Sequence, residues 1–370
     1  MYKKLLIFIP QIGGGGVEKN FFIITNFLAK KIKDVTVITV NKEFKKKLNK
    51  NIKIISPKSD RWKNSSIYVK YTISLFLLIK TLISNKDYLI FSFQANWYAI
   101  IVTKLFGLKI VSRSNTAPQG WSNNVAKKKL YKLIINFADE IIVNSIEFKK
   151  SLKKYFNVNS TCIYNPLNKS SILKLGNTKN NFSFFKQKNS LKVINIGRFT
   201  DQKNQLLLLK SIKYLNNSIP IKLLIAGKGT NYKYLKNYID ENKLNKNVLL
   251  LNFLKNPYTY LKKADVFVLS SNYEGLPNVL LEAQCFKKII ISTKCPTGPR
   301  EILLNGKAGI FFRMNDYKDL SKKIIYVYKN KKKLRNKVKI GYSNLNRFEE
   351  NKNLNMYYRI ILKYLKNEKN

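Results

Sequence analysis

The sequence predicts an α/β protein with two domains, each built on a doubly wound parallel β-sheet. Short apolar runs without polar alternation recur along the chain, as in strands that are covered on both faces. Stretches with helical spacing separate these runs, which is the strand–helix rhythm of a doubly wound sheet. The length of 370 residues is sufficient for two domains with separate hydrophobic cores.

The apolar runs predict strands in both halves of the chain. In the first half they are Leu5–Ile9, Val35–Val40, Ile52–Ile55, Tyr88–Phe93, Lys109–Ser112 and Glu140–Val143. In the second half they are Lys192–Ile196, Ile221–Ala226, Asn247–Asn252, Asp265–Leu269, Ile289–Ser292 and Gly309–Phe312. The polar stretch 167–190 is rich in Asn, Lys and Ser, which is typical of a linker. We therefore expect one domain at residues 1–166 and another at residues 167–349.

The net charge of +50, from 70 Lys and Arg against 20 Asp and Glu, indicates either an anionic partner or a general compositional bias toward lysine. The lysines are spread along the whole chain, which disfavours a dedicated nucleic-acid-binding arm. The sequence also has no zinc-site spacing and no RNP-type aromatic pattern. We expect no nucleic-acid partner, and an anionic membrane surface is the partner that the charge favours.

Cysteine spacing and hydropathy indicate the cellular compartment of the protein. Cys162, Cys285 and Cys295 have neither metal-ligand nor disulfide spacing, which favours a reducing environment. The first residues read as a strand rather than a signal peptide. The apolar stretch Tyr71–Ile83 is interrupted by Lys80, is too short to span a bilayer and is more consistent with core packing. We expect a cytoplasmic protein, held peripherally on the inner face of the cytoplasmic membrane.

The sequence contains no histidine, and this restricts its chemistry. Nucleophilic mechanisms that need a Ser-His or Cys-His pair are excluded, as are imidazole general bases and histidine-based metal sites. Any reaction must rely on carboxylates, cations, backbone amides or the substrate itself.

Two glycine loops follow predicted strands. The first, P-Q-I-G-G-G-G-V-E-K, contains Gly14, Gly15 and Gly16, and a helix is expected to begin at about its end. Glycine lets a backbone approach a phosphate closely at such a strand-to-helix turn, although a simple tight turn is the alternative. In the second half, G-K-G-T with Gly227 follows the strand Ile221–Ala226 in the same way.

Cations follow predicted strands in both halves. The second domain opens with K-V-I-N-I-G-R-F-T-D-Q-K-N, which places Arg198 and Lys203 just after a strand. This pair suits a diphosphate, because an Arg fork binds two oxygens and Lys supplies a point charge. A basic loop without function is the alternative in so lysine-rich a chain. Arg113 follows the strand Lys109–Ser112, where it would meet an acceptor phosphate or be a solvated loop residue.

The stretch S-S-N-Y-E-G-L-P-N-V-L-L-E-A connects two buried strands. It carries Glu274 in a loop and Glu282 eight residues later, inside a helix expected to open near Asn278 with Pro277 in its first turn. The N-terminus of that helix favours anions, so carboxylates there suggest hydroxyl groups bound beside a phosphate. A nucleotide-sugar combines both groups. Ordinary surface acids are the alternative interpretation.

The segment E-G-L-P-N-V-L-L-E, placed between its strands, resembles the E-x7-E signature of retaining glycosyltransferases of the GT-B architecture, close to family 4. The G-G-x-E loop and G-R-x-x-x-x-K-N are further matches. The segment C-P-T-G-P-R-E resembles the corresponding loop of members that build bacterial surface glycans. The resemblance implies two Rossmann-like domains facing a central cleft, with a C-terminal helix at about residues 350–370 packing back on the first domain.

The resemblance also implies a reaction. A sugar would move, with retention of configuration, from a nucleotide-sugar to a lipid-linked or surface glycan. A UDP-linked hexose or N-acetylhexosamine is the default donor, and GDP-mannose is the other option. No metal ion or other cofactor is expected, in agreement with the absence of a D-x-D motif. A phosphorylase or epimerase of the same fold is the main alternative, followed by a nucleic-acid-binding protein.

Site residues carry over from the same resemblance. Glu274 would contact the transferred sugar, and Arg198 and Lys203 would stabilise the departing diphosphate as the other catalytic residues. Glu282 would hold the ribose hydroxyls. The implied donor-binding residues are Gly14, Gly15, Gly16, Gly227, Gly275, Leu276, Pro277, Asn278 and Glu282.

Overall fold

The computed structural model describes residues 4–13, 15–115, 124–215 and 218–366. The chain divides into two compact units. The first unit comprises Met1–Pro166 and Glu350–Asn370, and the second unit comprises Leu167–Glu349.

The strands and helices alternate through most of the chain. The strands are β1 (Lys4–Phe8), β2 (Val35–Ile38), β3 (Lys53–Ile55), β4 (Tyr88–Ser92), β5 (Ile110–Ser114), β6 (Glu140–Val143), β7 (Thr161–Cys162), β8 (Leu191–Ile196), β9 (Ile221–Ala226), β10 (Val248–Leu251), β11 (Val266–Leu269), β12 (Ile289–Thr293) and β13 (Ile310–Phe312). The helices are α1 (Gly16–Leu28), α2 (Ile67–Ser84), α3 (Asn96–Leu105), α4 (Val125–Ile135), α5 (Ile146–Phe156), α6 (Lys169–Gly176), α7 (Gln205–Leu215), α8 (Tyr232–Glu241), α9 (Tyr258–Lys263), α10 (Asn278–Cys285), α11 (Pro299–Ile302), α12 (Tyr317–Asn330), α13 (Arg335–Ser343) and α14 (Glu350–Lys366).

The first unit is built on a parallel sheet with strand order β3-β2-β1-β4-β5-β6-β7. Successive residues of β1 enter two different cores, because side chains alternate between the faces of a strand. Leu5 and Ile7 pack with α1 and α14, whereas Leu6 and Phe8 pack with α2, α3 and α4. Both faces are thus covered, which explains why the strand is apolar without alternation.

The second unit has a parallel sheet with strand order β10-β9-β8-β11-β12-β13. The chain runs outward from β8 to β10 and then returns to the centre to begin β11. The carboxyl ends of β8 and β11 therefore meet at a topological switch point, where open α/β sheets bind their ligands. Helices α7 and α12 contribute to the core of this unit, through residues that include Leu208 and Ile324.

Helix α14 belongs to the first unit, although it follows the whole second unit in sequence. Its residues Leu354, Tyr357, Ile361 and Leu365 recur at helical spacing and are buried in the core that contains β1. The fold class expected from the sequence, α/β with doubly wound parallel sheets, is confirmed.

The expected position of Arg113 needs correction. Strand β5 extends to Ser114, so Arg113 lies inside a strand with 0% exposure and is not a solvated loop residue. Its Nε donates to Tyr357 Oη at 2.9 Å and its Nη2 donates to Asn165 Oδ1 at 2.7 Å. Its Nη1 donates to Asn115 Oδ1. These contacts assign Arg113 to the internal structure of the first unit.

Candidate active site

The loops that follow β8 and β11 are held together side by side. Asn272 N donates to Gln202 O at 2.8 Å, and Ser270 Oγ donates to Lys203 O at 2.8 Å. Both loops begin at the switch point of the sheet, so their side chains gather where a ligand of this fold class binds. The predicted residues Lys203 and Glu274 lie one on each loop.

Lys203 and Glu274 form an ion pair at this position. The Lys203 Nζ lies 2.6 Å from Glu274 Oε1, and the two side chains are 15% and 7% exposed. Ser271 Oγ donates to the same Glu274 oxygen at 2.6 Å. Two donors therefore fix the carboxylate in a nearly buried site, where charges interact more strongly than in bulk water.

The backbone around Glu274 is held by the loop that follows β12. Glu274 N donates to Pro296 O at 2.7 Å, and Thr297 N donates to Glu274 O at 3.2 Å. Gly298 N donates to Gly275 O at 2.8 Å. A Cβ on Gly298 would lie 2.2 Å from that same Gly275 oxygen, so only glycine permits this approach. The segment that carries Glu274 is consequently fixed on both sides.

Arg198 takes a different position from Lys203. Its side chain is exposed, and its Nη2 donates to Gln202 Oε1 at 3.1 Å. Gln202 Nε2 in turn donates to Tyr273 O at 3.0 Å, next to Glu274. The guanidinium is thus connected to the site through Gln202 and remains open to solvent, where it can meet a ligand.

Glu282 lies on α10 and is 6% exposed. Tyr258 Oη donates to Glu282 Oε1 at 3.1 Å. Helix α10 begins at Asn278, as expected, but Pro277 is the N-cap rather than a residue of the first turn. Gly275, Leu276 and Pro277 are buried, while Asn278 is partly exposed.

Some of the predicted glycines lie where the backbone is too close to another segment for a side chain. A Cβ on Gly227 would lie 1.8 Å from Gly197 O, because the ends of β8 and β9 meet there. In the first unit, Gly15 is the N-cap of α1 and Gly16 is its first residue. Glu18 turns back onto this loop, and its Oε1 accepts from Gly13 N at 3.2 Å. The remaining predicted glycine, Gly14, lies outside the described residues.

Cys295, just after β12, is fully buried near the ion pair. Burial raises the pKa of its thiol to about 12, and the negative charge of Glu274 acts in the same direction. This thiol is therefore protonated at neutral pH and is not a nucleophile. Among the described residues, no three or more Asp, Glu or Cys side chains are grouped so that they could hold a metal ion.

Sequence reasoning assigned no role to several residues of this site. Ser271 stands in the S-x-x-E pattern, three residues before Glu274, and that spacing was its only signal. The prolines and glycine of C-P-T-G-P indicated a rigid loop, but not its contact with Glu274. Gln202 and Tyr258 gave no signal, because their partners lie 71 and 24 residues away in sequence.

Comparison with known proteins identifies the class. Residues 177–343 match the family described as glycosyl transferases group 1. The chain is 41% identical over 180 residues to an uncharacterized glycosyltransferase of Methanocaldococcus jannaschii. That alignment covers 47% of this chain and 44% of the relative, so it spans less than half of the relative's length.

A second relative matches over nearly its whole length. It is the N-acetylgalactosamine-N,N'-diacetylbacillosaminyl-diphospho-undecaprenol 4-alpha-N-acetylgalactosaminyltransferase of Campylobacter jejuni, 27% identical over 365 residues. The alignment covers 92% of this chain and 97% of the relative. Among solved structures, Anabaena HepE in complex with UDP-glucose superposes with a TM-score of 0.78 at 16% identity, covering 97% of this chain and 99% of HepE.

These matches and the two parallel sheets define the class of protein. The chain is a glycosyltransferase with the GT-B fold. The match to glycosyl transferases group 1 lies within the second unit and includes the E-x7-E segment.

Proposed function

We propose that this glycosyltransferase moves a sugar from a UDP-sugar to a lipid-linked or surface glycan, with retention of configuration. The donor sugar is a hexose or an N-acetylhexosamine. The observation that carries the proposal is the Lys203–Glu274 pair at the carboxyl ends of β8 and β11. The names of the Campylobacter enzyme, which acts on a diphospho-undecaprenol-linked glycan, and of the HepE complex with UDP-glucose support the acceptor and donor classes.

In this proposal, Lys203 and Arg198 stabilise the negative charge of the leaving diphosphate. When the bond between the sugar C1 and the diphosphate oxygen breaks, negative charge grows on the diphosphate. Lys203 is held in place by its carboxylate partner, and Arg198, held by Gln202, remains exposed for bidentate contact. Donors that are fixed before the reaction stabilise such a charge without reorganisation, which is usually the largest catalytic contribution.

In this proposal, the carboxylates of Glu274 and Glu282 accept hydrogen bonds from hydroxyl groups of the donor. Glu274 contacts hydroxyls of the transferred sugar while Ser271 and Lys203 hold its orientation. Glu282 accepts from the ribose diol, and Tyr258 holds that carboxylate. A carboxylate has about four acceptor positions, so protein contacts and ligand contacts can share it. The glycine loop at Gly227 would allow backbone of the second unit to approach the diphosphate.

The proton transfer needs no protein base in this proposal. The acceptor hydroxyl attacks C1 on the face that the diphosphate leaves, and its proton passes to a departing phosphate oxygen. The new C1–O bond then has the configuration of the old one. We also propose that no metal ion takes part, because Lys203 and Arg198 would supply the positive charge that stabilises the leaving diphosphate. An unchanged rate in EDTA is the expected result.

The first test is the thermal stability of the wild type with UDP, GDP or ADP and their sugars. A UDP-dependent rise is expected in the wild type and in the matched control Glu241→Ala, which changes an exposed acid at the end of α8. Glu282→Ala should lose the rise, measured against its own baseline. No shift with any nucleotide at millimolar concentration would overturn the nucleotide-sugar proposal.

The second test is the product. NMR of the new linkage should show the anomeric configuration of the donor, and inversion would contradict the proposed stereochemistry. Phosphate-dependent cleavage of a glycan would favour a phosphorylase instead. Conversion of the free nucleotide-sugar into its epimer, without transfer, would favour an epimerase.

A further inference from the structure

Helix α2 has an unusual distribution of side chains. Its outward positions include Tyr68, Phe76 and Ile83, which are 76%, 65% and 68% exposed. Its inward positions include Lys70 and Ser74, which are buried. A helix on a soluble domain normally has the reverse arrangement, with its polar residues outward. Core packing accounts for only part of the apolar character of this helix.

The two helices beside α2 continue this surface. Helix α3 packs against α2 through the rings of Tyr71 and Tyr98, whose centroids lie 6.4 Å apart. Helix α4 packs against α3 through stacked rings of Trp97 and Tyr131, with centroids 3.7 Å apart. The apolar face is defined here by nine exposed apolar side chains of these helices and of the turn after α4: Tyr68, Phe76, Ile83, Tyr98, Ile101, Leu105, Leu130, Leu133 and Phe137.

The charges within the three helices have a single sign. Their sequences contain no Asp or Glu and seven lysines. Lys70 is buried, and Lys104 forms an ion pair with Asp139 at 2.6 Å. The exposed lysines of these helices include Lys80, Lys127, Lys129 and Lys132. An apolar surface among cations is complementary to the headgroups and acyl boundary of an anionic bilayer. The exposed tyrosines suit the same interface, since their rings are apolar and their hydroxyls are polar.

A second copy of the chain fits this surface less well. A two-fold contact places the same patch on both partners, so it would bring the lysines of one copy against those of the other. Anionic lipid headgroups would instead neutralise them.

The packing of α2 distinguishes lying on a membrane from crossing it. Among the described residues, α2 alone is long and apolar enough to cross, with 18 residues of mean hydropathy 1.5. Its residues Leu78 and Leu82, however, pack in the core with Leu6 and Phe8 of β1. The helix is therefore a component of the first unit, and only its outer side is available to lipid.

We propose that the apolar face of α2, α3 and α4 lies against an anionic membrane surface. The outward side chains enter the boundary between headgroups and acyl chains, and the exposed lysines Lys80, Lys127, Lys129 and Lys132 contact the phosphates. This surface is independent of the donor chemistry proposed above, so either proposal can fail without the other.

Vesicle co-sedimentation of the full chain tests the proposal. At 0.15 M salt the wild type should bind phosphatidylcholine vesicles that contain phosphatidylglycerol, and bind vesicles of phosphatidylcholine alone at least tenfold more weakly. The triple variant Phe76→Ser, Leu105→Ser, Leu133→Ser should bind the anionic vesicles at least tenfold more weakly. All three positions are exposed, so the fold should be retained.

The matched control changes three exposed apolar residues of the second unit, Leu175→Ser, Tyr234→Ser and Tyr326→Ser, and should bind like the wild type. An unchanged melting temperature verifies folding of both variants. Equal binding by the wild type and the first triple variant would overturn the proposal. So would a wild-type dimer that becomes a monomer in the first triple variant, since the face would then be an interface between copies.

Discussion

Lys203 Nζ and Glu274 Oε1 lie 2.6 Å apart, although the two residues are separated by 71 positions in sequence. The pair connects the loop after β8 to the loop after β11, and Ser271 holds the same carboxylate oxygen. One contact therefore fixes the geometry of the candidate site and also joins two loops of the second unit.

Removing the cation alone should be costly. Lys203→Met leaves Glu274 nearly buried without its ionic partner, which costs about 3 kcal/mol of unfolding free energy. The double variant Lys203→Met, Glu274→Leu should lose less than the sum of the two single changes, because no charge is left unpaired. Chemical denaturation of the four proteins measures this coupling. Additive losses would show that the pair contributes nothing.

Ser271→Ala should lower transferase activity more than stability. The Ser271 hydroxyl donates to the Glu274 carboxylate, so its removal frees that side chain to rotate. The loss of this hydrogen bond costs about 1.5–3 kcal/mol in total, divided between the orientation of Glu274 and the free energy of unfolding. The turnover number and the melting temperature are measured in parallel. Ser292→Ala, which also removes a buried hydroxyl but bonds to Thr293 O, is the control and should keep wild-type activity. Equal activity losses would contradict a specific role for Ser271.

Gly227→Ala should destabilise the second unit by about 2 kcal/mol or more, because the added methyl would overlap Gly197 O at 1.8 Å. Gly13→Ala is the control. At that position the nearest atom lies 3.6 Å from the added Cβ, so the change should be within about 0.5 kcal/mol. Urea denaturation compares the two, and a tolerated Gly227→Ala would mean that the ends of β8 and β9 can separate.

Tyr357→Phe should destabilise the first unit by about 2 kcal/mol, since the buried Nε of Arg113 loses its acceptor. Tyr364→Phe removes a hydroxyl of the same helix that is only partly buried and donates to Asp139 O at 2.8 Å and to Glu140 Oε2 at 3.2 Å, where water can replace it. That control should lose less than about 1 kcal/mol. Similar losses in both variants, measured by chemical denaturation, would assign the effect to helix packing rather than to Arg113.

Thiol reactivity should follow burial. At pH 8, Cys162 is expected to react first with a disulfide reagent, while Cys285 and Cys295 react only after unfolding. The Cys295 pKa is raised from 9.0 to about 12, so the associated stability is present below pH 9 and is lost as pH rises toward 12. Cys295→Ala should weaken that alkaline loss. A rapid reaction that disappears in Cys295→Ala would contradict the burial.

The strands were predictable because apolar runs covered on both faces are visible in local sequence. Two strands, β6 and β9, have the predicted ends, and the ends of the other predicted strands differ by at most two residues. Strand β7, with two residues, was too short to give a periodic signal. The family, the fold class and the site loops followed from motifs whose spacing is local. Lys203 and Glu274 were both predicted, but their direct contact was not, since it depends on the pairing of β8 with β11.

Contacts between distant segments account for the remaining differences. Arg113 looked like a surface residue because its charge is visible in the sequence and its partner Tyr357 lies 244 positions away. The periodicity of α2 predicted a helix, but not which side the sheet would cover. Which face of a helix is buried depends on the whole fold and cannot be predicted from a local sequence pattern.

The position of α14 has a consequence for synthesis on the ribosome. The second unit is inserted within the first, and its two ends meet where Leu167 N donates to Phe348 O at 2.9 Å. The N-terminal strands emerge first, yet the core around β1 needs Leu354, Tyr357 and Ile361. At 5–20 residues per second, the remaining chain of about 200 residues takes about 10–40 s to make. The later-made unit can therefore finish folding first, while the core between the sheet and α1 in the first unit remains incomplete until α14 is made.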